Sequence, residues 1–309
     1  MLLKYGRYQL TSILKDQARL PVYKGSTFRG AFGSALKKVV CAVRKQQCDD
    51  CLLRSRCVYA RTFERFDDSN SYNQAAKPHP YIIEPPPEEK VDYAVGDFFN
   101  FNLILLGEFN DYLPYYIYAF EQMGQQGIGK RINGKRARFK LLSVSQGEHE
   151  IYHHQQRQLQ DNMQLENLQF DPIAGCDPMT LQVECITPLR LKSNNRFSTA
   201  ITFEILVRAM LRRISSIFNC YGDGEPDVDY RGLVAAAGEI VVCNDNLHWQ
   251  DWKRYSNRQE KTMLMGGHIG TITFSGDIAP YLPLFALAQK LHIGKQTAFG
   301  LGKINYSIK

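Results

Sequence analysis

The sequence predicts an α+β protein that contains two domains of the same element order in tandem. The second half reads as strand, helix, strand, strand, helix, strand, which is the order of a ferredoxin-like (βαββαβ) domain. The first half reads similarly, with insertions. An Ile-Gly-Lys tripeptide follows a helix and precedes a strand in both halves, at 128–130 and 293–295. We therefore predict an N-terminal domain over residues 1–160 and a C-terminal domain over residues 161–309.

The elements of the first half follow from its periodicity. Residues 5–14 are compatible with a strand, and apolar residues recur at helical spacing from Phe28 to Val43, with Thr27 as the predicted N-cap. A cysteine-bearing insertion comes next, and residues 67–90 read as a polar and then proline-rich loop. The remaining predicted elements are a core strand, an aromatic-rich helix, a basic glycine-rich loop and a strand, at 98–106, 112–123, 124–134 and 138–144.

The second half begins after a connection rich in Gln and Asn, which spans residues 146–178. Its main helix is predicted at 198–218, because apolar residues from Phe203 to Ile217 lie on one helical face. The other elements are strands near 180–186, 237–242 and 270–274, a helix at 280–291 and a last strand at 301–308.

Composition limits the class of protein. The hydrophobic fraction of 44% is that of a globular chain, and the formal net charge of +7 suits a polyanionic partner such as nucleic acid. We recognise no signal peptide and no run near the roughly 20 apolar residues of a membrane helix. The expectation is a cytoplasmic protein without a membrane partner.

The segment from His292 to Lys303 is the most informative one for function. It contains Gly294, Gly300 and Gly302, with Lys295 and Lys303 beside them. Glycines allow a backbone to approach phosphate closely, and histidine and lysine suit the chemistry of a phosphodiester. The alternative is a tight loop in which the glycines serve only backbone geometry. The segment lacks the spacing of a Walker phosphate loop.

Two further clusters are candidates for contact with a nucleic acid. Residues 252–268 interleave basic and aromatic side chains, which favours binding of bases and phosphates, although a solvated hairpin would look the same. The predicted helix that starts at Thr27 carries Arg29 and two early glycines, and Lys24 precedes it. Such a helix N-terminus can receive a phosphate, but close packing against a sheet would also explain the glycines.

Four cysteines lie close together in the first half. Cys41, Cys48, Cys51 and Cys57 have the spacing C-x6-C-x2-C-x5-C, and basic residues surround them. Four thiolates in a short span can bind Zn²⁺ or an iron–sulfur cluster, and in a reducing compartment this interpretation precedes a disulfide. We predict a structural metal, with free thiols as the alternative.

The chain resembles the CRISPR-associated RAMP endoribonucleases that process precursor crRNA, the Cas6 family. The resemblance extends over most of the chain, and its most specific part is the last segment. The motifs that carry it are Gly25–Gly33, Cys57–Tyr59, Thr187–Leu191, Arg254–Gln259, Gly266–Gly270, His292–Lys295 and Phe299–Gly302.

The resemblance implies two ferredoxin-like (RRM-like) domains and cleavage of CRISPR repeat RNA without a metal cofactor. The 2′-hydroxyl of the RNA would attack the adjacent phosphate and leave a 2′,3′-cyclic phosphate and a 5′-hydroxyl. Many members carry a catalytic histidine in or near the first helix, but this chain has no histidine before His79. We therefore predict His292 as the acid or base. Lys295 would stabilise phosphate charge, with assistance from Tyr255 or His268.

The predicted RNA-binding residues are basic, polar or glycine residues of these clusters: Lys24, Arg29, Lys130, Arg254, Arg258, Gln259, Gly294, Gly300, Gly302 and Lys303. The expected partner is repeat RNA in precursor crRNA, with a CRISPR effector complex as a further possibility. Two alternatives remain. The chain could be a RAMP subunit that binds crRNA without cutting it, or a regulatory protein defined by a metal or an iron–sulfur cluster at the cysteines.

Overall fold

A computed structural model describes the chain except for residues 45, 65–76, 161–162, 172–177, 194–195 and 257–260, and it describes no side chains for residues 193, 253–256 and 261–264. The described chain divides into two compact units. The first domain is Leu3–Asn167, and the second is Leu168–Lys309 together with Met1–Leu2. The sequence placed this boundary between residues 160 and 161.

The first domain contains three helices and the strands that surround them in sequence. Its elements are β1 (Leu2–Leu14), β2 (Ala18–Arg19), α1 (Gly25–Val40), α2 (Val58–Phe63), β3 (Tyr81–Glu84), β4 (Asp92–Tyr93), β5 (Phe98–Leu106), α3 (Leu113–Gln126), β6 (Ile128–Ile132), β7 (Lys135–Ala137), β8 (Phe139–Gln146) and β9 (His149–His153).

The second domain repeats this pattern with its own insertions. The strand β10 (Glu166–Gln169) spans the boundary and pairs with β1 in the first sheet. The elements that follow it are β11 (Pro178–Leu189), β12 (Lys192–Ser193), β13 (Arg196–Phe197), α4 (Phe203–Tyr221), α5 (Tyr230–Ala236), β14 (Val241–Asp245), β15 (His248–Ser256), β16 (Lys261–Asp277), α6 (Leu282–Leu291) and β17 (Ile304–Ile308).

The two main sheets have the same topology. The first domain orders its strands β3-β5-β1-β8-β9, and the second orders them β14-β16-β11-β17, with β15 also paired to β16. In each sheet the first strand of the repeat lies between the third and the fourth, and these pairs are antiparallel. The predicted pair of ferredoxin-like domains is confirmed.

Each sheet is covered by two helices that meet in an apolar core. In the first domain Phe32 of α1 stacks on Phe120 of α3, with their ring centroids 4.4 Å apart. In the second, Phe203 of α4 contacts Phe274 of β16 and Phe285 of α6 at centroid distances of 5.0 and 5.8 Å. All five rings are fully buried, and such aromatic cores contribute strongly to stability.

The repeated Ile-Gly-Lys tripeptide adopts the same local structure in both domains. Gly129 has φ +79° and Gly294 has φ +81°, and a Cβ on either would lie 2.6 Å from a carbonyl oxygen, that of Arg19 and of Arg190 respectively. The residue before each tripeptide, which ends the preceding helix, has φ +78° at Gly127 and +51° at His292. Glycine is required at positions 129 and 294 for close approach of the backbone. The repeated tripeptide thus marks equivalent positions in the two domains.

Several elements differ from their predicted positions. The strand β3 forms within the predicted proline-rich loop, because its four residues Tyr81–Glu84 are all buried beside β5. The short helix α5 was not predicted at all; its residues carry no fully buried face, so no apolar period marks it. The helix α1 begins three residues early, and its N-cap is Lys24 without a side-chain cap, not Thr27.

Among the described residues, no helix combines the length and the apolar character needed to cross a membrane.

Candidate functional site

His292 occupies the C-cap of α6 and is completely buried. Its Nδ1 lies 3.1 Å from the carbonyl oxygen of Leu301, and Arg213 donates hydrogen bonds to the carbonyl oxygens of Leu291 and His292. The imidazole therefore connects the end of α6 to the turn at Leu301 that precedes β17. The complete burial of His292 argues against a role as the acid or base, which stays a prediction.

The glycine-rich segment uses its N–H groups inside the protein. The N–H of Gly300 donates to Thr297, and the N–H of Gly302 donates to Pro188. Both residues are buried, and a Cβ on Gly302 would lie 1.7 Å from the carbonyl oxygen of Ile293. These two glycines serve close packing, which argues against their predicted contacts with phosphate. Gly294 is half-buried, and its predicted role stays a prediction.

The lysines beside these glycines differ in exposure. Lys295 is exposed, and its backbone N–H donates to the carbonyl oxygen of Arg190 over 3.0 Å. Lys303 is half-buried, and its backbone N–H donates to the hydroxyl of Thr187. Lys130, in the equivalent segment of the first domain, is exposed. All three ammonium groups stay candidates for phosphate contact.

The ribbon of β15 and β16 holds the other predicted residues of the second domain. His268 is 6% exposed; its Nε2 lies 3.0 Å from the carbonyl oxygen of Ser198, and its ring contacts Trp249 edge-on. Its burial argues against the predicted catalytic assistance. Arg254 and Tyr255 pair with Met263 and Thr262 along the ribbon, and their side chains are not described. Two predicted RNA contacts, Arg258 and Gln259, lie outside the described residues.

Lys24 is buried at the N-terminus of α1. Its ammonium donates to the carbonyl oxygens of Val22 and Glu88 over 3.1 and 2.5 Å. Burial lowers the pKa of this lysine, against the opposing charge of Glu88. Its two carbonyl partners compensate for desolvation, as a buried cation requires. These bonds connect the segment around Glu88 to the start of α1, and the burial of Lys24 argues against its predicted RNA contact.

A half-buried arginine and a half-buried histidine meet on α1. Arg29 Nη2 lies 3.4 Å from Nε2 of His79, and Nδ1 of His79 lies 3.4 Å from the carbonyl oxygen of Thr62. A guanidinium only donates and a carbonyl only accepts, so this arrangement fits a neutral imidazole that carries its proton on Nδ1. The pair joins residues 50 positions apart in sequence. Local spacing could not have revealed it.

Aromatic side chains support this pair. The Arg29 guanidinium lies 5.2 Å from the ring centroid of Phe63, and the His79 ring lies 5.5 Å from that of Tyr81. Phe63 also packs so closely on α1 that a Cβ on Gly33 would lie 2.7 Å from it. Gly33 therefore serves packing, whereas Gly30 is exposed, with nothing within 4 Å of a Cβ there. Within the described part of the chain, the surface of α1 at Gly30, beside Arg29, is uncovered.

The second domain presents a basic and aromatic surface around Phe197, which we call the Phe197 face. The Arg190 guanidinium lies 3.8 Å and the Lys192 ammonium 5.1 Å from the ring centroid of Phe197. Phe197 is 40% exposed although it is a large apolar residue. Lys295 adjoins this face through its backbone bond to Arg190. Exposed rings flanked by cations are typical of surfaces that stack bases and bind phosphates.

Sequence reasoning did not single out the residues of the Phe197 face. Arg190 lies in the Thr187–Leu191 motif, which we used for the resemblance but not for the site. The available signal was a phenylalanine among polar residues, with Arg190 and Lys192 before it. In a two-stranded hairpin there is no apolar core in which such a phenylalanine could be buried. The pairing of Lys192 with Phe197 across β12 and β13 places the cation beside the ring.

The four cysteines lie between α1 and α2 and are all half-buried, free thiols. Cys41 is the C-cap of α1, and Cys57 is the N-cap of α2. The Cys41 thiol donates to the carbonyl oxygen of Val43 over 3.4 Å. Burial raises the pKa of the Cys48 thiol, against the charge of Lys37. Among the described residues no three cysteine, histidine or acidic side chains are arranged to hold a metal ion. The structure does not show a ligand geometry, so the metal site stays a prediction.

Comparison with known proteins identifies the family. A family model described as an N-terminal domain, AF_1859_N, matches residues 3–164, slightly more than half of the chain. The model described as CRISPR-associated endoribonuclease Cas6 matches residues 183–304. The chain belongs to the AF_1859_N family, and its second domain is similar to Cas6 endoribonucleases. The Phe197 face and the glycine-rich segment both lie within the Cas6 match.

Individual relatives agree with the Cas6 fold. An uncharacterized protein of Archaeoglobus fulgidus is 26% identical over 215 residues, which cover 68% of each chain. Cas6 of Thermus thermophilus has a TM-score of 0.55 at 12% identity and covers 99% of both chains. A product complex of the same Cas6 gives 0.55 at 11%, over 98% of this chain and 100% of that one. At such identities these structures establish the fold alone.

Proposed function

We propose that this protein is a metal-independent endoribonuclease that cleaves CRISPR repeat RNA within precursor crRNA. The observation that carries the proposal is the contact of Arg29 with His79 on α1, in which a cation and a neutral imidazole share a half-buried, accessible position. The family supports the substrate: the model that matches the second domain describes an endoribonuclease, and a structural neighbour is a Cas6 product complex.

His79 acts as the general base in this proposal. Its Nδ1–H stays on the carbonyl oxygen of Thr62, which holds the ring, so Nε2 has the lone pair that accepts a proton. The phosphate draws the Arg29 guanidinium away from Nε2, and the 2′-hydroxyl takes its place. The 2′-oxygen forms a bond to phosphorus as its proton passes to His79. The P–O5′ bond breaks, and the 5′-oxygen takes a proton from water.

Arg29 stabilises the negative charge that grows on the phosphate in the transition state. A guanidinium is suited to this because its N–H groups match two phosphate oxygens at once. The stacking of Arg29 on Phe63 keeps the guanidinium close to the site when substrate binds. Once the phosphate is bound, a guanidinium already in place lowers the barrier of the chemical step.

The RNA strand is held by exposed basic and aromatic residues. We propose Lys130 in the first domain, and Arg190, Phe197 and Lys295 in the second, as contacts with phosphates and bases, together with Arg254 on β15. The support is the exposure of Lys130 and Lys295 and the stacking on Phe197. Repeat RNA is the proposed partner, and residence in an effector complex after cleavage would use the same contacts.

Labelled repeat RNA tests the proposal. The purified protein is incubated with the RNA in EDTA, beside an RNA that carries a 2′-deoxy substitution at the cut. We expect cleavage of the first RNA only, with a 2′,3′-cyclic phosphate on the upstream product. Cleavage of the deoxy substrate, or dependence on a metal, would contradict the mechanism. Binding without cleavage would make the chain a crRNA-binding subunit.

Variants of the pair test the residues. We expect His79→Ala to lower the cleavage rate by about 10²–10⁴-fold, which is typical for loss of a general base, with RNA binding retained. Arg29→Ala should lower the rate as well, and Arg29→Lys should restore part of it. His149→Ala, an exposed histidine of β9, is the control and should cut at the wild-type rate. If His79→Ala cuts as fast as His149→Ala, the assignment is wrong.

A further inference from the structure

The second domain contains a cleft between α4 and α5 that none of the motifs above uses. Its volume is about 660 Å³, within the range of small-ligand sites. One wall is an outer face of α4 that includes Arg208, Arg212 and Ser215, and the other is α5 with Tyr230 and Arg231. The buried face of α4, by contrast, packs in the core through Phe203 and Met210.

Three arginines make the cleft suitable for an anion. Arg208 and Arg212 are one helical turn apart on α4, and Arg231 comes from the opposite wall. Arg208 pairs with Glu204, whereas for Arg212 and Arg231 no ion pair or hydrogen bond occurs within the part of the chain that the structure describes. Guanidinium groups that line one cleft can bind the oxygens of a phosphate group.

The rest of the lining suits a ligand larger than phosphate. Leu211, Val234 and Ala235 give the cleft an apolar wall, and Tyr230 adds a ring. Glu225 accepts a hydrogen bond from the Ser215 hydroxyl, so a carboxylate is held where it could accept from hydroxyl or amino groups. An apolar wall, a ring, an acceptor and a set of guanidinium groups together fit the base, the ribose and the phosphate of a nucleotide.

We propose that the cleft between α4 and α5 binds a phosphorylated nucleotide, either free or at the end of an RNA strand. The guanidinium groups of Arg212 and Arg231 hold the phosphate, and the base lies against the apolar wall. The site is separate from the Arg29–His79 pair, so its occupancy does not depend on the proposed reaction.

Calorimetry with the full chain tests the proposal. We expect AMP to bind, and adenosine and inorganic phosphate each to bind at least about tenfold more weakly, because each supplies half of the contacts. Arg212→Ala and Arg231→Ala should each weaken AMP at least tenfold, whereas Arg131→Ala, an exposed arginine of the first domain, should not. Equal affinity for phosphate and AMP would leave a simple anion site and overturn the proposal. No binding, or an equal loss in all three variants, would overturn it too.

Short oligonucleotides distinguish the two sources of the nucleotide. RNA with a terminal phosphate should displace AMP if the cleft takes an RNA end, while the same RNA with terminal hydroxyls should not. If neither competes, the ligand is a free nucleotide. Because the variants lie outside the Arg29–His79 pair, their cleavage of repeat RNA should remain at the wild-type rate. Loss of cleavage together with AMP binding would contradict the separation of the two sites.

Discussion

Position 292 offers a quantitative test of whether its histidine serves structure or chemistry. The backbone there has φ +51° and ψ 152°, in a region that a non-glycine residue occupies at a cost of about 1–3 kcal/mol. The equivalent position in the first domain is Gly127, with φ +78° and ψ 159°. We therefore compare His292→Gly with His292→Ala. Both lose the bond to Leu301 and the buried ring, so these terms cancel between the two variants.

The glycine variant is expected to be the more stable one. Relief of strain favours glycine by about 1–3 kcal/mol, and the greater freedom of glycine in the unfolded chain opposes it by about 0.5–1 kcal/mol. The net expectation is an advantage of about 1 kcal/mol for His292→Gly over His292→Ala. Ala288→Gly is the control: in the interior of α6, glycine should be about 1 kcal/mol less stable than alanine.

Urea unfolding followed by tryptophan fluorescence measures this difference. The two tryptophans, Trp249 and Trp252, both lie in the second domain, so the signal reports that domain alone. His292→Gly should also cleave repeat RNA at the wild-type rate. If His292→Ala is as stable as His292→Gly, the backbone at position 292 is not strained. Loss of cleavage by a folded His292→Gly would restore His292 to the active site.

Three further predictions concern other parts of the chain. Arg138 holds the pKa of the Asp16 carboxyl at about 2, below its usual 3.8, so the stability that this pair adds is present above pH 4 and is lost as the pH falls towards 2. The Asp16→Asn variant should therefore lose less stability between pH 4 and pH 2 when unfolding is measured over that range. Phe197→Ala should weaken RNA binding by about 1–3 kcal/mol without changing its salt dependence, whereas Lys295→Ala should reduce the salt slope by about one unit in a titration of affinity against salt. The four cysteines are expected to carry one Zn²⁺ per chain in metal analysis of the purified protein, and fewer in a Cys48→Ser variant; a protein free of zinc and iron would leave them as thiols.

The architecture could be predicted from the sequence because its signals are local and repeated. The structure has helices where the apolar residues of α1 and α4 recur at helical spacing, and this spacing depends only on neighbouring residues. The alternation of strand and helix is local in the same way. The Ile-Gly-Lys tripeptide gave the right equivalence because it marks a backbone conformation that needs glycine. The helix α5 was not predicted because it has no buried face, so its sequence shows no apolar residues at helical spacing.

The site was harder to predict because the same residue types serve packing and chemistry. Gly300 and Gly302 have the composition of a phosphate loop, yet their N–H groups are bonded to Thr297 and Pro188. The sequence around Lys24 predicts a phosphate ligand, but its buried ammonium donates to the carbonyl oxygens of Val22 and Glu88. Burial and hydrogen-bond partners separate these roles, and both depend on residues far away in sequence.

The two domains share a fold but differ in the exposure of the histidines at their candidate sites. In the second domain, His268 and His292 are buried and bonded to main-chain oxygens, as expected of residues that hold loops together. In the first domain, His79 is partly exposed and faces a guanidinium on α1. A phosphodiester requires a proton acceptor and a cation at one accessible point. This contrast supports the proposal that the first domain carries the chemistry and that the Phe197 face of the second domain holds the strand.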